Sequence, residues 1–303
     1  MHTSIDLTRA PKKEHAPVTV FDYLNGALMI LLCLICVYPM LYVMFASLSE
    51  PNLLAAHSGG LLHPLGFTTK GYELVLSNKN IFTGYYNTII YVVFGTLIAI
   101  MMTLVSAFLV SRNKWQWSAP LMILITVHMF FGGGMIPFYL LIRDMDLINT
   151  RWAILLPGAL NVWNMVVLKT AMMGVPSSLE ESAFIDGAND LQILVRVYVP
   201  VIGSAIAVQV ILYAVGIWNS WFNASLFLND RQLFPLQIIL REILINSDTQ
   251  SLGAAESAST DINFYKDLTK YCTIIISTLP IMCIYPFMQK YFVKGMMVGA
   301  VKG

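Results

Sequence analysis

The sequence predicts an all-α integral membrane protein, and three observations carry that reading. Of its 303 residues 57% are apolar and only 12% charged, and its mean hydropathy is strongly positive. Apolar windows of about twenty residues, the length a bilayer demands of a helix, recur along the chain. Short polar segments with glycine and proline separate them. A net charge of +1 without a local Lys/Arg cluster supplies no field for nucleic acid.

Residues 1–24 carry Arg9, Lys12 and Lys13 and read as a cytoplasmic N-terminal segment, too long and polar for the leading part of a signal peptide. Residues 25–303 form a single transmembrane domain with spans expected at about 25–48, 86–110, 118–141, 152–173, 201–228 and 271–292. The fourth span contains Pro157, Asn161, Trp163 and Asn164, which raise its insertion cost and point to burial against protein. Several spans carry proline or glycine, among them Pro39, Gly95, Gly132 to Gly134 with Pro137, Pro280 and Pro286; in lipid these provide bends and close approaches. Six spans put both ends on one side. With a cytoplasmic amino terminus, the inner segments hold ten of the 18 Lys and Arg residues, a bias too slight to fix orientation alone. The outer loop 229–270 is expected to hold a short helix from Pro235 to Asn246 and then a mobile Ser/Ala/Thr-rich stretch over 247–260. Cys33, Cys36, Cys272 and Cys283 all lie inside apolar runs and read as free thiols.

Residues 177–200 form a polar island between two apolar runs. Ser178 with Glu181 three residues on matches a capping box, which would start a short helix near Leu179. Leu179, Ala183 and Phe184 share one face of it, and Glu180 and Asp186 are expected to stay wet. Gly187 suits a left-handed residue after the helix, and Asn189 or Asp190 caps a second helix through Leu191, Leu194, Val195 and Tyr198 towards Pro200.

Glu181-Ser182-Ala183, three residues, Gly187, nine residues, then Val197-Tyr198-Val199-Pro200 resembles the EAA loop of ABC-importer permeases. Ser182 departs from its alanine, and valines replace the isoleucine and leucine before the proline. Phe131-Gly132-Gly133-Gly134-Met135-Ile136-Pro137, Leu147-Ile148-Asn149-Thr150-Arg151-Trp152-Ala153, Pro157 and Gln289-Lys290-Tyr291-Phe292-Val293-Lys294-Gly295 are similar to carbohydrate importers of the maltose-permease class. Within it they look closest to the branch handling complex or acidic oligosaccharides such as alginate. The resemblance implies a type I ABC-importer permease fold with about six transmembrane helices and a cytoplasmic coupling helix. It further implies a bacterial inner membrane location, both termini cytoplasmic, and an alternating-access importer of oligosaccharides. The implied partners are a second permease subunit in a heterodimer, two ATPase subunits and an extracytoplasmic solute-binding protein. No cofactor is implied in this chain; ATP and Mg belong to the partner ATPase. The ATPase-coupling residues it implies are Glu181, Ser182, Ala183, Phe184, Asp186, Gly187 and Pro200.

The sequence holds no catalytic constellation: no GxxxxGK[ST], HExxH or GxSxG, and no metal-spaced His/Cys set. In the fifth span Gln209, Tyr213, Gly216, Ser220 and Asn223 fall within about 40° of one helical face. This stripe reads either as the lining of a substrate pathway for sugar hydroxyls or as a packing seam. Near it, Trp218 and Trp221 fit interface anchors or sugar-stacking rings. An importer of a non-sugar solute is the alternative. A secondary transporter is a more distant one, because no Asp or Glu lies away from the ends of the predicted spans.

Overall fold

The computed structural model describes residues 19–112, 116–253, 268–286 and 289, with 246–253 described by backbone alone. Helix follows helix: α1 (Val20–Ser47), α2 (Pro51–Ala56), α3 (Lys70–Ser77), α4 (Lys79–Ser111), α5 (Ser118–Phe130), α6 (Met135–Asp144), α7 (Trp152–Leu155), α8 (Val162–Met173) and α9 (Ser177–Ile185). Then come α10 (Asp190–Ile193), a π-helical segment Leu194–Tyr198, α11 (Val199–Val201), α12 (Gly203–Trp218), α13 (Phe222–Phe227) and α14 (Leu236–Gly253). The last described helix is α15 (Leu268–Pro286). No strand occurs among the described residues.

The 33-residue α4 is the axis of the fold, packed against α12, α8 and α14. Glycine makes two of these approaches possible. A Cβ on Gly84 would stand 3.0 Å from the Cα of Leu236 at the start of α14, and one on Gly95 would stand 2.9 Å from Ile217 Cδ1 on α12. Polar residues near the first turns of α4 serve the turn that precedes α14. Asn87 Nδ2 donates to the Phe234 carbonyl at 3.1 Å, Tyr91 OH to the Leu233 carbonyl at 2.7 Å, and the Leu236 amide donates to Thr88 Oγ1 at 2.8 Å. Backbone groups of an irregular turn are thereby satisfied without water, as burial requires.

The expected spans 25–48 and 86–110 correspond to α1 and α4, both of which begin several residues earlier than expected. Span 271–292 corresponds to α15, which starts at Leu268; its expected end lies outside the described residues. The other three are not single straight helices. Span 118–141 is α5 and α6, bent by 116° where Gly134 adopts φ +85°. Span 152–173 is split into α7 and α8, because Pro157 cannot continue the first and Asn161 caps the second through the Asn164 amide at 3.1 Å. Span 201–228 divides into α12 and α13, and α12 itself meets Asp190–Val201 at 89°. By length and composition α1, α4 and α15 each suffice to cross a membrane, and the two bent pairs do so if each is one span.

The helix expected at 235–246 runs instead from Leu236 to Gly253, so the stretch 247–253 expected to be mobile is helical; 254–260 lies outside the described residues. Leu236 is fully buried, and Ile238, Ile239 and Leu240 nearly so. This apolar run docks α14 on α4 and extends its helix. All four cysteines are free; Cys272 is buried and the other three lie exposed on helix surfaces.

Candidate functional site

The EAA-like loop is a helix, a glycine turn and a second helix. Its first helix opens earlier than the capping-box reading expects. Pro176, at φ −59° and ψ 132°, takes the N-cap position, and its carbonyl accepts from the Leu179 amide at 3.2 Å. Ser178 therefore lies inside the first turn and caps nothing. The far end matches the expectation. Gly187 has φ +78°; its amide donates to the Phe184 carbonyl at 3.1 Å and the Ala188 amide to the Ala183 carbonyl at 3.0 Å, the paired bonds of a Schellman turn. Asn189 caps the next helix through a reciprocal pair with Gln192, each bond 2.9 Å.

Faces of α9 differ from the sequence expectation in one respect. Glu180, expected to stay wet, turns inward with its side chain 14% exposed, whereas Phe184 is 69% and Ile185 85% exposed. The reason is a cation beneath the helix. Arg112, the residue after α4, donates from Nη2 and Nε to Glu180 Oε1 at 2.7 and 3.1 Å, and from Nη1 to Asp190 Oδ1 at 2.5 Å. Tyr198 OH donates to the other Glu180 oxygen at 2.7 Å, and its ring meets Phe108 edge-on at 5.2 Å. Arg112 lies over Phe108 at 5.0 Å. Burial works against the guanidinium charge, but the hydrogen bonds that Arg112 donates to Asp190 and Glu180, with the charges of both carboxylates, outweigh it and hold the Arg112 pKa above its ordinary value. A cavity of about 280 Å³ borders this pair, lined also by Met172, Met173 and Tyr198.

The remaining expected coupling residues are distributed around this anchor. Glu181, Ser182 and Asp186 are exposed, and Ala183 packs against the core of Met165, Leu168, Met172 and Ile193. Pro200 follows the π-helical segment, where the wider turn accommodates a residue without an amide hydrogen before the chain bends at Ile202. On the second helix Leu194 and Tyr198 are buried, while Leu191 and Val195 are exposed.

The stripe expected on one helix crosses the break after Trp218, with Gln209, Tyr213 and Gly216 on α12, Ser220 in the break and Asn223 on α13, and it separates into two parts. Tyr213, Gly216, Ser220 and Asn223 line one cavity of about 280 Å³, together with Asn161 and Asn164 from the break before α8. Gly216 has no atom within 4 Å of where a Cβ would stand, which is open space and not a seam. Tyr213 serves both cavity and frame: its hydroxyl accepts from the Asn161 amide at 3.0 Å and shares a 2.7 Å hydrogen bond with Thr103 Oγ1 on α4. Gln209 lies apart from the cavity, fully buried, and neither amide atom has a hydrogen-bond partner among the described residues. Trp218 is a buried frame residue whose indole N–H donates to the Ser277 carbonyl at 3.3 Å.

Sequence reasoning missed three participants. Arg112 and Glu180 are 68 positions apart, and nothing in the pattern of either links them. Asn149, inside a motif the sequence does single out, adopts φ +60°; its Oδ1 accepts from the Asn229 and Asp230 amides at 3.0 and 2.8 Å, tying the loop after α6 to the end of α13. Its positive φ is the signal that an Asn among turn residues offers.

No family model matches the chain. Among curated proteins, it is 35% identical over 284 residues to the polygalacturonan/rhamnogalacturonan transport system permease protein YtcP of Bacillus subtilis, covering 94% of this chain and 99% of that one. It is likewise 35% identical to the protein LplC of the same organism, covering 94% and 95% of the two chains. Among solved structures, it superposes with a TM-score of 0.80 and 30% identity on a chain of a bacterial ABC transporter involved in the import of the acidic polysaccharide alginate, covering 90% of this chain and 96% of that one.

Proposed function

Since the chain belongs to the permease subunits of carbohydrate ABC importers, we propose that it moves acidic oligosaccharides across the bacterial inner membrane by alternating access. It pairs with a second permease, takes cargo from an extracytoplasmic binding protein and couples to two ATPase subunits that hold ATP and Mg. About six passes through the bilayer leave both termini and the loop 177–200 in the cytoplasm.

The observation that carries the coupling role is the outward apolar pair Phe184 and Ile185 on a helix fixed at both ends. An isolated soluble surface has no use for two such residues side by side. Seating each in an apolar cleft of an ATPase contributes about 1–2 kcal/mol, given how much of each is already buried. The Schellman turn at Gly187 and the Arg112 clamp make α9 rigid against α4, so displacement of the ATPase moves the helix axis and not merely the loop. Glu181, Ser182 and Asp186 form the polar rim of the contact, and Ala183 seats the helix on the core. Along the pathway, Tyr213, Gly216, Ser220 and Asn223 present hydroxyl, amide and open backbone to sugar hydroxyls, joined by Asn161 and Asn164. The acidic cargo is inferred from the relative named for polygalacturonan/rhamnogalacturonan transport and from the structure of an importer of the acidic polysaccharide alginate.

The test is ATPase activity of the reconstituted complex with its binding protein across neutral and uronic-acid oligosaccharides. Stimulation by uronates is expected. Stimulation by neutral sugars alone would keep the carbohydrate permease and remove the acidic cargo.

A further inference from the structure

A second cavity, of about 340 Å³, lies where the chain leaves α12 and meets α14 and α15; it shares no lining residue with the one along α12. Its polar wall consists of Trp221, Gln237, Arg241, Thr273 and Ser277. Among the described residues no carboxylate lines it. The Arg241 guanidinium carbon lies 3.6 Å from the Trp221 ring centroid, and a stacked guanidinium keeps its planar N–H fork for a ligand at its edge. The neighbouring Glu242 is engaged by Arg231, and Arg241 makes no ion pair among the described residues. Thr273 is fully buried, yet its Oγ1 has no hydrogen-bond partner among the described residues. Such an orphan in a cavity wall calls for an occupant with a matching polar group. Ser277 differs, because its hydroxyl already donates to the Ile274 carbonyl at 2.8 Å.

We infer that this cavity is a subsite for one uronate unit of the cargo. Arg241 takes the carboxylate through its fork, Trp221 backs the guanidinium plane, and Gln237 and Thr273 take hydroxyls. A neutral sugar would leave the arginine without its anion, so the subsite discriminates acidic from neutral chains and does not merely hold both. This inference rests on the acidic-cargo reading above and assigns it to particular side chains.

The test is equilibrium binding of a labelled trigalacturonate or trimannuronate, and of its carboxyl-reduced counterpart, to the purified permease–ATPase complex, with uptake by proteoliposomes measured alongside. Arg241→Gln should weaken binding of the uronate about tenfold and leave the carboxyl-reduced chain unchanged, as expected for loss of a charge-assisted pair. Arg241→Lys should recover part of the loss, and Thr273→Val should weaken both sugars by a smaller factor. Co-purification of the ATPase confirms that each variant assembles. Equal losses for both sugars, or none, would overturn the subsite while wild-type uronate uptake keeps the acidic-cargo reading. A wild type that takes up only neutral chains would overturn both. Uronate uptake by a wild-type complex that binds neither sugar would overturn the subsite alone.

Discussion

Replacing Arg112 with alanine should loosen the coupling loop from α4 without disturbing insertion. Two N–H groups of Arg112 converge on one Glu180 oxygen at 2.7 and 3.1 Å, with the side chains only 19% and 14% exposed. A hydrogen bond to a charged group contributes about 1.5–3 kcal/mol at such a site. The bond to Asp190, whose side chain is 69% exposed, adds only a few tenths. Tyr198 keeps its bond to the other Glu180 oxygen, so the carboxylate is not stranded and the larger penalty for a fully buried broken pair does not apply. The expected loss is about 2–3 kcal/mol of local stability, a shift of roughly 30- to 150-fold in the closed-to-open ratio of α9. Hydrogen exchange of the intact complex reads this directly, as faster exchange over residues 179–188 with the core of α4 unchanged. Transported sugar per ATP should fall in parallel. Arg231→Ala is the control, since its pair with Glu242 is largely exposed and remote from the loop. Exchange within threefold of wild type at 179–188, with normal coupling, would refute the idea that this clamp transmits motion. In a double-mutant cycle, Arg112→Ala with Glu180→Ala should lose less than the sum of the two single changes.

Gly187 offers a test of conformation against crowding. No atom lies within 4 Å of a Cβ there, so Gly187→Ala costs only the left-handed backbone, about 1–2 kcal/mol, and Gly187→Asn should cost less. If Gly187→Asn and Gly187→Asp nevertheless abolish coupling while hydrogen exchange stays normal, the ATPase surface packs against that position; wild-type uptake in Gly187→Asp would remove the coupling role. Gly84→Ala should weaken the α4–α14 contact by about 1–3 kcal/mol in thermal unfolding, because its Cβ would approach the Leu236 backbone. Gly216→Leu should leave that stability intact yet lower uptake by filling the cavity, and unimpaired uptake would assign the cavity to structure alone. Gln209→Leu should be neutral or stabilising, since its buried amide has no partner among the described residues, whereas Asn223→Leu should raise the sugar concentration needed for half-maximal ATPase activity. Matching effects of the two changes would reunite the stripe as a single surface.

Much of the coupling loop is local and was therefore legible in order. The left-handed glycine, the Schellman turn and the Asn189–Gln192 cap depend on residues within five positions of one another. Apolar length likewise located α1, α4 and α15, because the bilayer reads only hydropathy and extent. Periodicity placed Tyr213, Gly216, Ser220 and Asn223 on one face of a single helix; the chain breaks after Trp218, and it is the fold that brings them to one cavity from α12, the break and α13. Which face of α9 turns inward was beyond it. Periodicity puts Leu179, Ala183 and Phe184 on one face and leaves Glu180 to water, and a guanidinium arriving from 68 residues away turns Glu180 inward. The bends at Gly134 and Ile202 are likewise tertiary outcomes: glycine and proline permit a break, and packing decides where it falls. Sequence by itself determined that this chain crosses a membrane and that residues 177–200 form a helix, a glycine turn and a second helix between apolar runs. Only the assembled helices decided how that loop is anchored and where the cavities open, because both depend on charges and voids contributed by segments distant along the chain.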